Sequence, residues 1–168
     1  FNHLYNSLTF IEAWSIISGF ALQLYFDFSG YSEMAVGLGL LFGIRLPVNF
    51  NLPFQAVSMI DFWKRWHISV TRFFMLYLYA PFSLYLNKIK SLNSSNNLFN
   101  LLIIPTIITF FISGLWHGAD WKFVIFGLIN GVGLITNHLW KIFKMPKIPK
   151  LLSWSLTMGV VLISFVFF

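Results

Sequence analysis

The chain contains no cysteine among its 168 residues, which excludes disulfides and thiolate-ligated metal sites. Charge is scarce too: Asp, Glu, Lys and Arg make up 10% of the residues, and five of them are acidic. A soluble domain needs polar groups over its surface, so this scarcity, set against 58% hydrophobic and 20% aromatic residues, excludes an ordinary soluble fold. No glycine-rich phosphate loop is present; GLGLLFG at 37–43 lies in an apolar helical pattern and reads as helix packing. No serine sits in a G-x-S-x-G elbow. His67 and His117 have no histidine at i+3 or i+4, so no metal site is expected. Internal repeats are lacking, which weighs against an inverted-repeat transporter. No signal peptide is visible. Residue 1 is Phe and residue 168 falls inside an apolar run, so the chain reads as an internal fragment of a longer membrane protein.

What is present suits a bilayer: the mean hydropathy is +0.76. Apolar segments are expected at 10–28, 31–44, 98–113, 121–140 and 151–168, with Ser29-Gly30 breaking the helix between the first two. RLPVNFNLPFQAVS, with Pro47 and Pro53, reads as an irregular segment that must be buried in protein or face water. The stretch 58–86 reads as one amphipathic, partly buried helix. Asp61, Lys64, Arg65 and Arg72 fall on one arc, and Trp63, Trp66, Val70, Phe73, Phe74 and Tyr77 on the other, the side on which His67 also lies. Asp61 and Arg65 are spaced to pair. The expected architecture is all-α, a polytopic transmembrane helical bundle forming a single domain.

The formal net charge of +6 is unevenly placed. Lys88 and Lys90 lie in one acid-free loop, 87–97, and Lys141, Lys144, Lys147 and Lys150 in another, 141–150. Both are assigned to the cytoplasmic side. The basic residues flank apolar spans and do not form one patch, so a nucleic-acid partner is not expected. The two runs between these loops then go out and back, and GLWHGADW, 114–121, is their turn. The third run is short for the ~20 residues that a crossing takes, which sets His117 at depth or near the opposite surface.

Among the acids, Glu12 reads as an interface charge. Asp27 and Glu33 interrupt apolar runs, and Asp61 and Asp120 sit near histidines; all four admit either a site-shaping role or ordinary interface placement. His117 stands between Gly114 and Gly118, which allow close backbone approach, and between Trp116 and Trp121, whose walls favour the neutral imidazole. Asp120 can orient the ring if the turn is helical. As a general base His117 can take the proton from a hydroxyl that attacks an acyl thioester; equally, it can be a hydrogen-bonding histidine in an aromatic belt. His67 carries the same two readings, and His3 and His138 read as structural.

Three blocks, YFDFSGYSEMAVGLGLLFGIRLPVNFNLPF, DFWKRWHISVTRFF and GLWHGADWKFVIFG, resemble the membrane-bound O-acyltransferase family, in order and with consistent spacing over roughly residues 20–135. The likeness is to its bacterial alginate and peptidoglycan O-acetylase branch, with the teichoic acid D-alanyl transferase more distant. The resemblance implies a multi-pass enzyme of the bacterial inner membrane with a tunnel through a thin centre. It implies His117 as catalytic and His67 as the second histidine on the tunnel, with Asp61, Trp63, Arg65 and Trp66 shaping the site; Trp116 and Asp120 join them as site-shaping residues from the reading of the turn itself. It implies an acyl thioester donor, acetyl-CoA for this branch, with no tightly bound cofactor, and a secreted or membrane-tethered SGNH-hydrolase-like partner that places the acyl group on an envelope polysaccharide. The chain departs from the family pattern at Asn130-Gly131, where many relatives have His-Gly, and at Tyr79-Ala80-Pro81-Phe82. A transporter or export component, with Asp27, Glu33 and the histidines along a pathway, is the non-enzymatic alternative.

Overall fold

The computed structural model describes residues 8–90 and 98–168, and among them every regular element is helical. His3 and most of the 87–97 loop lie outside the described residues. The chain divides into two compact units, Phe1–Leu46 and Pro47–Phe168.

The first unit holds one helix, α1 (Phe10–Leu41). It begins with a reciprocal cap: the Glu12 amide donates to Thr9 Oγ1 (3.3 Å), and the Thr9 amide donates to Glu12 Oε2 (2.8 Å). It ends where Gly43 takes a left-handed φ of 72°, with Ile44 N–H reaching back to the Gly39 carbonyl at 2.8 Å. A side chain at Gly39 would meet that Ile44 carbonyl at 3.0 Å. Two expectations are corrected here. The helix does not break at Ser29-Gly30, because one interior glycine weakens a helix by only ~1 kcal/mol. Of the glycines of 37–43, read as helix packing, Gly39 and Gly43 instead serve the terminal turn. Asp27 and Glu33 are exposed on this helix.

In the second unit a left-handed Leu52 and a short 3₁₀ turn (Pro53–Gln55) lead to α2 (Met59–Trp63), capped by Ser58. The expected single helix over 58–86 is then interrupted. His67, with φ 43° and ψ 55°, turns the chain into α3 (Ile68–Phe74), and the helical path continues through a π-helical turn (Met75–Tyr79) into α4 (Ala80–Lys90). A second π-helical turn (Phe99–Ile103) opens α5 (Ile104–His117). Each π turn lies four residues before a proline. Pro81 has no N–H for the Tyr77 carbonyl and Pro105 none for Leu101, so the regular ladder is lost at those positions. The Leu101 carbonyl is recovered from across the fold, accepting from Tyr79 Oη at 2.7 Å and Ser83 Oγ at 3.3 Å.

α5 runs to His117 itself, one turn beyond the expected end at 113. α6 (Trp121–Ile142) returns antiparallel to it. Glycines set the closeness: a Cβ at Gly114 would collide with the Phe123 carbonyl and one at Gly127 with the Phe110 carbonyl, and at Gly131 it would lie 3.1 Å from Phe110 Cβ. α6 ends in a left-handed cap at Lys144 (φ 51°), and α7 (Lys150–Phe165) packs back on α6, burying Met158, Val161 and Phe165, with the Phe165 ring against Phe126 and Trp66. α6, with 22 residues and a mean hydropathy of 1.4, is long and apolar enough to cross a membrane; Leu101–His117 and α7 are shorter apolar helices.

Candidate active site

The site grows from two backbone irregularities. The first is the end of α5. Gly118 closes the helix in an extended conformation (φ 167°), and Asp120 caps α6, its Oδ1 accepting from Lys122 N–H at 3.1 Å. The turn is therefore not helical at Asp120, and this carboxylate caps a helix instead of orienting the His117 ring. His117, the last residue of α5, is half-buried among rings: centroid separations are 4.8 Å to Trp116, 4.8 Å to Phe168, 5.7 Å to Phe126 and 6.4 Å to Phe123.

The second is the strained link at His67. The irregular segment expected around Pro47 and Pro53 pairs with it through the backbone, Asn51 N–H to the Arg65 carbonyl and Ile68 N–H to the Asn49 carbonyl, each at 2.9 Å. The His67 ring lies beside Phe50 (6.3 Å) and Trp116 (6.4 Å), and its Nδ1 stands 3.4 Å from Asn49 Oδ1. Trp116 thus touches both imidazoles, and the two are close enough to interact electrostatically. Burial first, and His117 second, hold the His67 imidazole down to about 4.

The residues named with His67 divide between packing and bracing. Trp66 is 6% exposed and packs on Phe62, Phe50 and Phe165, while Trp63 packs on Phe62 and Phe110. Asp61 Oδ1 accepts from Arg65 Nε at 2.8 Å, and Arg65 Nη1 donates onward to the Asn51 carbonyl at 3.3 Å. This pair ties α2 to the segment that carries Asn49. Met59 N–H donates to Asn137 Oδ1 at 2.6 Å, which fixes α2 to α6. Asn130, at 1% exposure, satisfies its amide on the Phe126 carbonyl at 2.8 Å. Asn49 was not among the expected site residues, although its place in an irregular segment between two prolines was the available signal. Among the described residues no group of three or more His, Asp or Glu lies together as a metal site.

A cavity of about 1210 Å³ lies between α2, α6 and α7. Apolar side chains such as Leu128, Val132 and Val160 wall it, and Lys141, Lys144 and Lys147 stand at one end. On α6 the lining starts at Leu128, two residues from Phe126, which touches His117.

An all-helical chain with a membrane-length α6 and two imidazoles sharing one tryptophan defines the class: a membrane helical protein with a histidine site walled by aromatic rings. The chain belongs to the membrane-bound O-acyltransferase family, whose model matches residues 3–168. It is 44% identical over 166 residues to the peptidoglycan O-acetyltransferase of Helicobacter pylori, covering 96% of this chain and 29% of that protein. It is 40% identical over 157 residues to the probable alginate O-acetylase AlgI of Azotobacter vinelandii, covering 94% and 30%. Against the teichoic acid D-alanyltransferase of Streptococcus thermophilus it is 34% identical over 121 residues, covering 72% and 28%. The chain thus spans about three-tenths of the length of the curated relatives it matches.

Proposed function

We propose that this chain carries the histidine core of a multi-pass O-acyltransferase of the bacterial inner membrane. In this reading it moves an acetyl group from a cytoplasmic thioester toward a cell-envelope polysaccharide. The observation that carries the reading is the pairing of His117 and His67 across Trp116. His117 acts as general base. It takes the proton of the attacking hydroxyl as the oxygen adds to the thioester carbonyl, then returns it to the departing thiolate as the carbon–sulfur bond breaks. The neutral imidazole is the form able to accept that proton, and the rings of Phe123, Phe126 and Phe168 stand beside it.

The donor is acetyl-CoA or a similar phosphate-bearing thioester. The lysines at the mouth of the 1210 Å³ cavity suit its phosphates, and the apolar wall of Leu128, Val132 and Val160 suits its acyl arm. Positive loops lie on the cytoplasmic side, where such a donor is available. A secreted or tethered SGNH-hydrolase-like partner completes transfer to the polymer. Closer identity to the two O-acetylases than to the D-alanyltransferase favours acetyl over alanyl transfer.

The test is His117→Ala in the intact membrane protein, with base-labile acetate on the envelope polymer and membrane protein level both measured. Acetylation should fall at least about 10³-fold at unchanged protein level. Acetylation at the wild-type rate would overturn the reading.

A further inference from the structure

The Asn49 side chain sits where the Pro47–Asn51 segment meets the strained His67 link. Its Oδ1 accepts from Ser69 N–H at 3.0 Å, and the same oxygen lies 3.4 Å from His67 Nδ1. A backbone N–H can only donate, so the atom facing Ser69 is the amide oxygen and not the nitrogen. An oxygen can only accept. The His67 nitrogen beside it must therefore carry the proton if the two are to attract, and 3.4 Å is at the long end of hydrogen-bond distance. Backbone pairing removes any freedom to slide: Ile68 N–H is held by the Asn49 carbonyl at 2.9 Å, and Asn51 N–H by the Arg65 carbonyl at 2.9 Å. Phe50, between the two asparagines, lies near-parallel to the imidazole at 23° and 6.3 Å, which limits rotation of the ring.

We propose that Asn49 is a positioning residue that fixes His67 as the Nδ1–H tautomer and so makes Nε2 the unprotonated nitrogen. The proposal rests on the reading of the two histidines as the working groups. Ser69 supplies the direction, because its amide dictates which way the Asn49 side chain faces. Asn49 acts through His67 and touches no substrate.

The experiment uses the intact membrane protein in detergent, with ¹⁵N-labelled histidine and His67→Gln to assign the resonance. His67 should show a protonated Nδ1 and an unprotonated Nε2; an Nε2–H tautomer would overturn the proposal whatever the activity. Acetyl transfer from acetyl-CoA is measured alongside. Asn49→Ala should lower kcat about 10- to 100-fold with donor KM within about twofold, the usual cost of losing such an orienting partner. Asn49→Asp keeps the accepting oxygen and should stay within about threefold of wild type. Wild-type kcat in Asn49→Ala, or equal losses in Ala and Asp, would sink it. If Asn49→Ala does not fold, the wild-type tautomer and the Asp variant still decide. Indifference of transfer to His117→Ala would instead count against the functional reading and leave the tautomer result standing on its own.

Discussion

His67 is one of three non-glycine residues in left-handed backbone among the described residues, beside Leu52 and Lys144. Such a conformation costs ~1 kcal/mol or more and persists only where surroundings over-determine it. Here the surroundings are the Asn49 and Asn51 pairings and the aromatic contacts. His67 lies in the link between α2 and α3, outside α6, the helix long enough to cross a membrane, and its pKa of about 4 has a consequence for stability. Between about pH 4 and the ordinary value of 6.5 the unfolded chain binds a proton there and the folded chain does not. Stability from this residue is therefore complete above 6.5 and declines as pH falls toward 4. We expect the thermal midpoint in detergent to drop over that window and His67→Gln to flatten the drop. An unchanged pH profile in the variant would show that His67 is not held neutral.

At the scale of elements, the π turns and the glycine hairpin each carry a prediction. Pro105 leaves the Leu101 carbonyl to the hydroxyls of Tyr79 and Ser83. Either hydroxyl alone keeps it satisfied, so Tyr79→Phe and Ser83→Ala should each cost under about 1 kcal/mol. The double variant should cost about 2 kcal/mol, more than the sum, as the carbonyl is left bare. Strict additivity in a denaturation cycle would refute the shared acceptor. In the α5–α6 hairpin, Gly127→Val places methyls against the Phe110 carbonyl and should cost about 3 kcal/mol, whereas Gly30→Ala, with nothing within 4 Å, should be neutral or slightly stabilising. The two are compared by thermal midpoint.

The hairpin was legible in the chain because a glycine-flanked turn separates two apolar runs, and the irregular 47–57 segment because prolines bracket it. The break at His67 was not. Its cause is a backbone pairing with residues 49–51, a non-local contact that no helical periodicity records. The opposite error fell at Ser29-Gly30, where a local helix-weakening signal was overridden by α1's length on both sides. The Asp61–Arg65 pair was legible from its spacing, whereas the residues alone left both histidines with two readings, and only the W-H-I-S and W-H-G blocks singled them out. Asn49 was not legible, since its role depends on which way Ser69 N–H points.

At the scale of the molecule, the orientation of the α5–α6 hairpin decides whether His117 and the lysine-lined cavity end can serve opposite faces of a membrane. α6 has 22 residues, about 33 Å of helix, enough for a hydrocarbon layer of ~30 Å. Lys141 lies in its last turn and Lys144, Lys147 and Lys150 follow it, with no acid among residues 141–150, and charge of this kind stays on the cytoplasmic side. The other end of α6, with Trp121 and the preceding Ala119 exposed, is then expected to lie away from the cytoplasm. The lack of cysteine in these 168 residues leaves them a blank background for single reporters. Lys150→Cys and Ala119→Cys, both at exposed positions, can be challenged with a membrane-impermeant maleimide on intact spheroplasts and on inside-out vesicles. Lys150→Cys should label only in inside-out vesicles, and Ala119→Cys should not label from that face. Labelling of both from one face would mean that α6 does not cross, and the two ends of the site would then share a compartment.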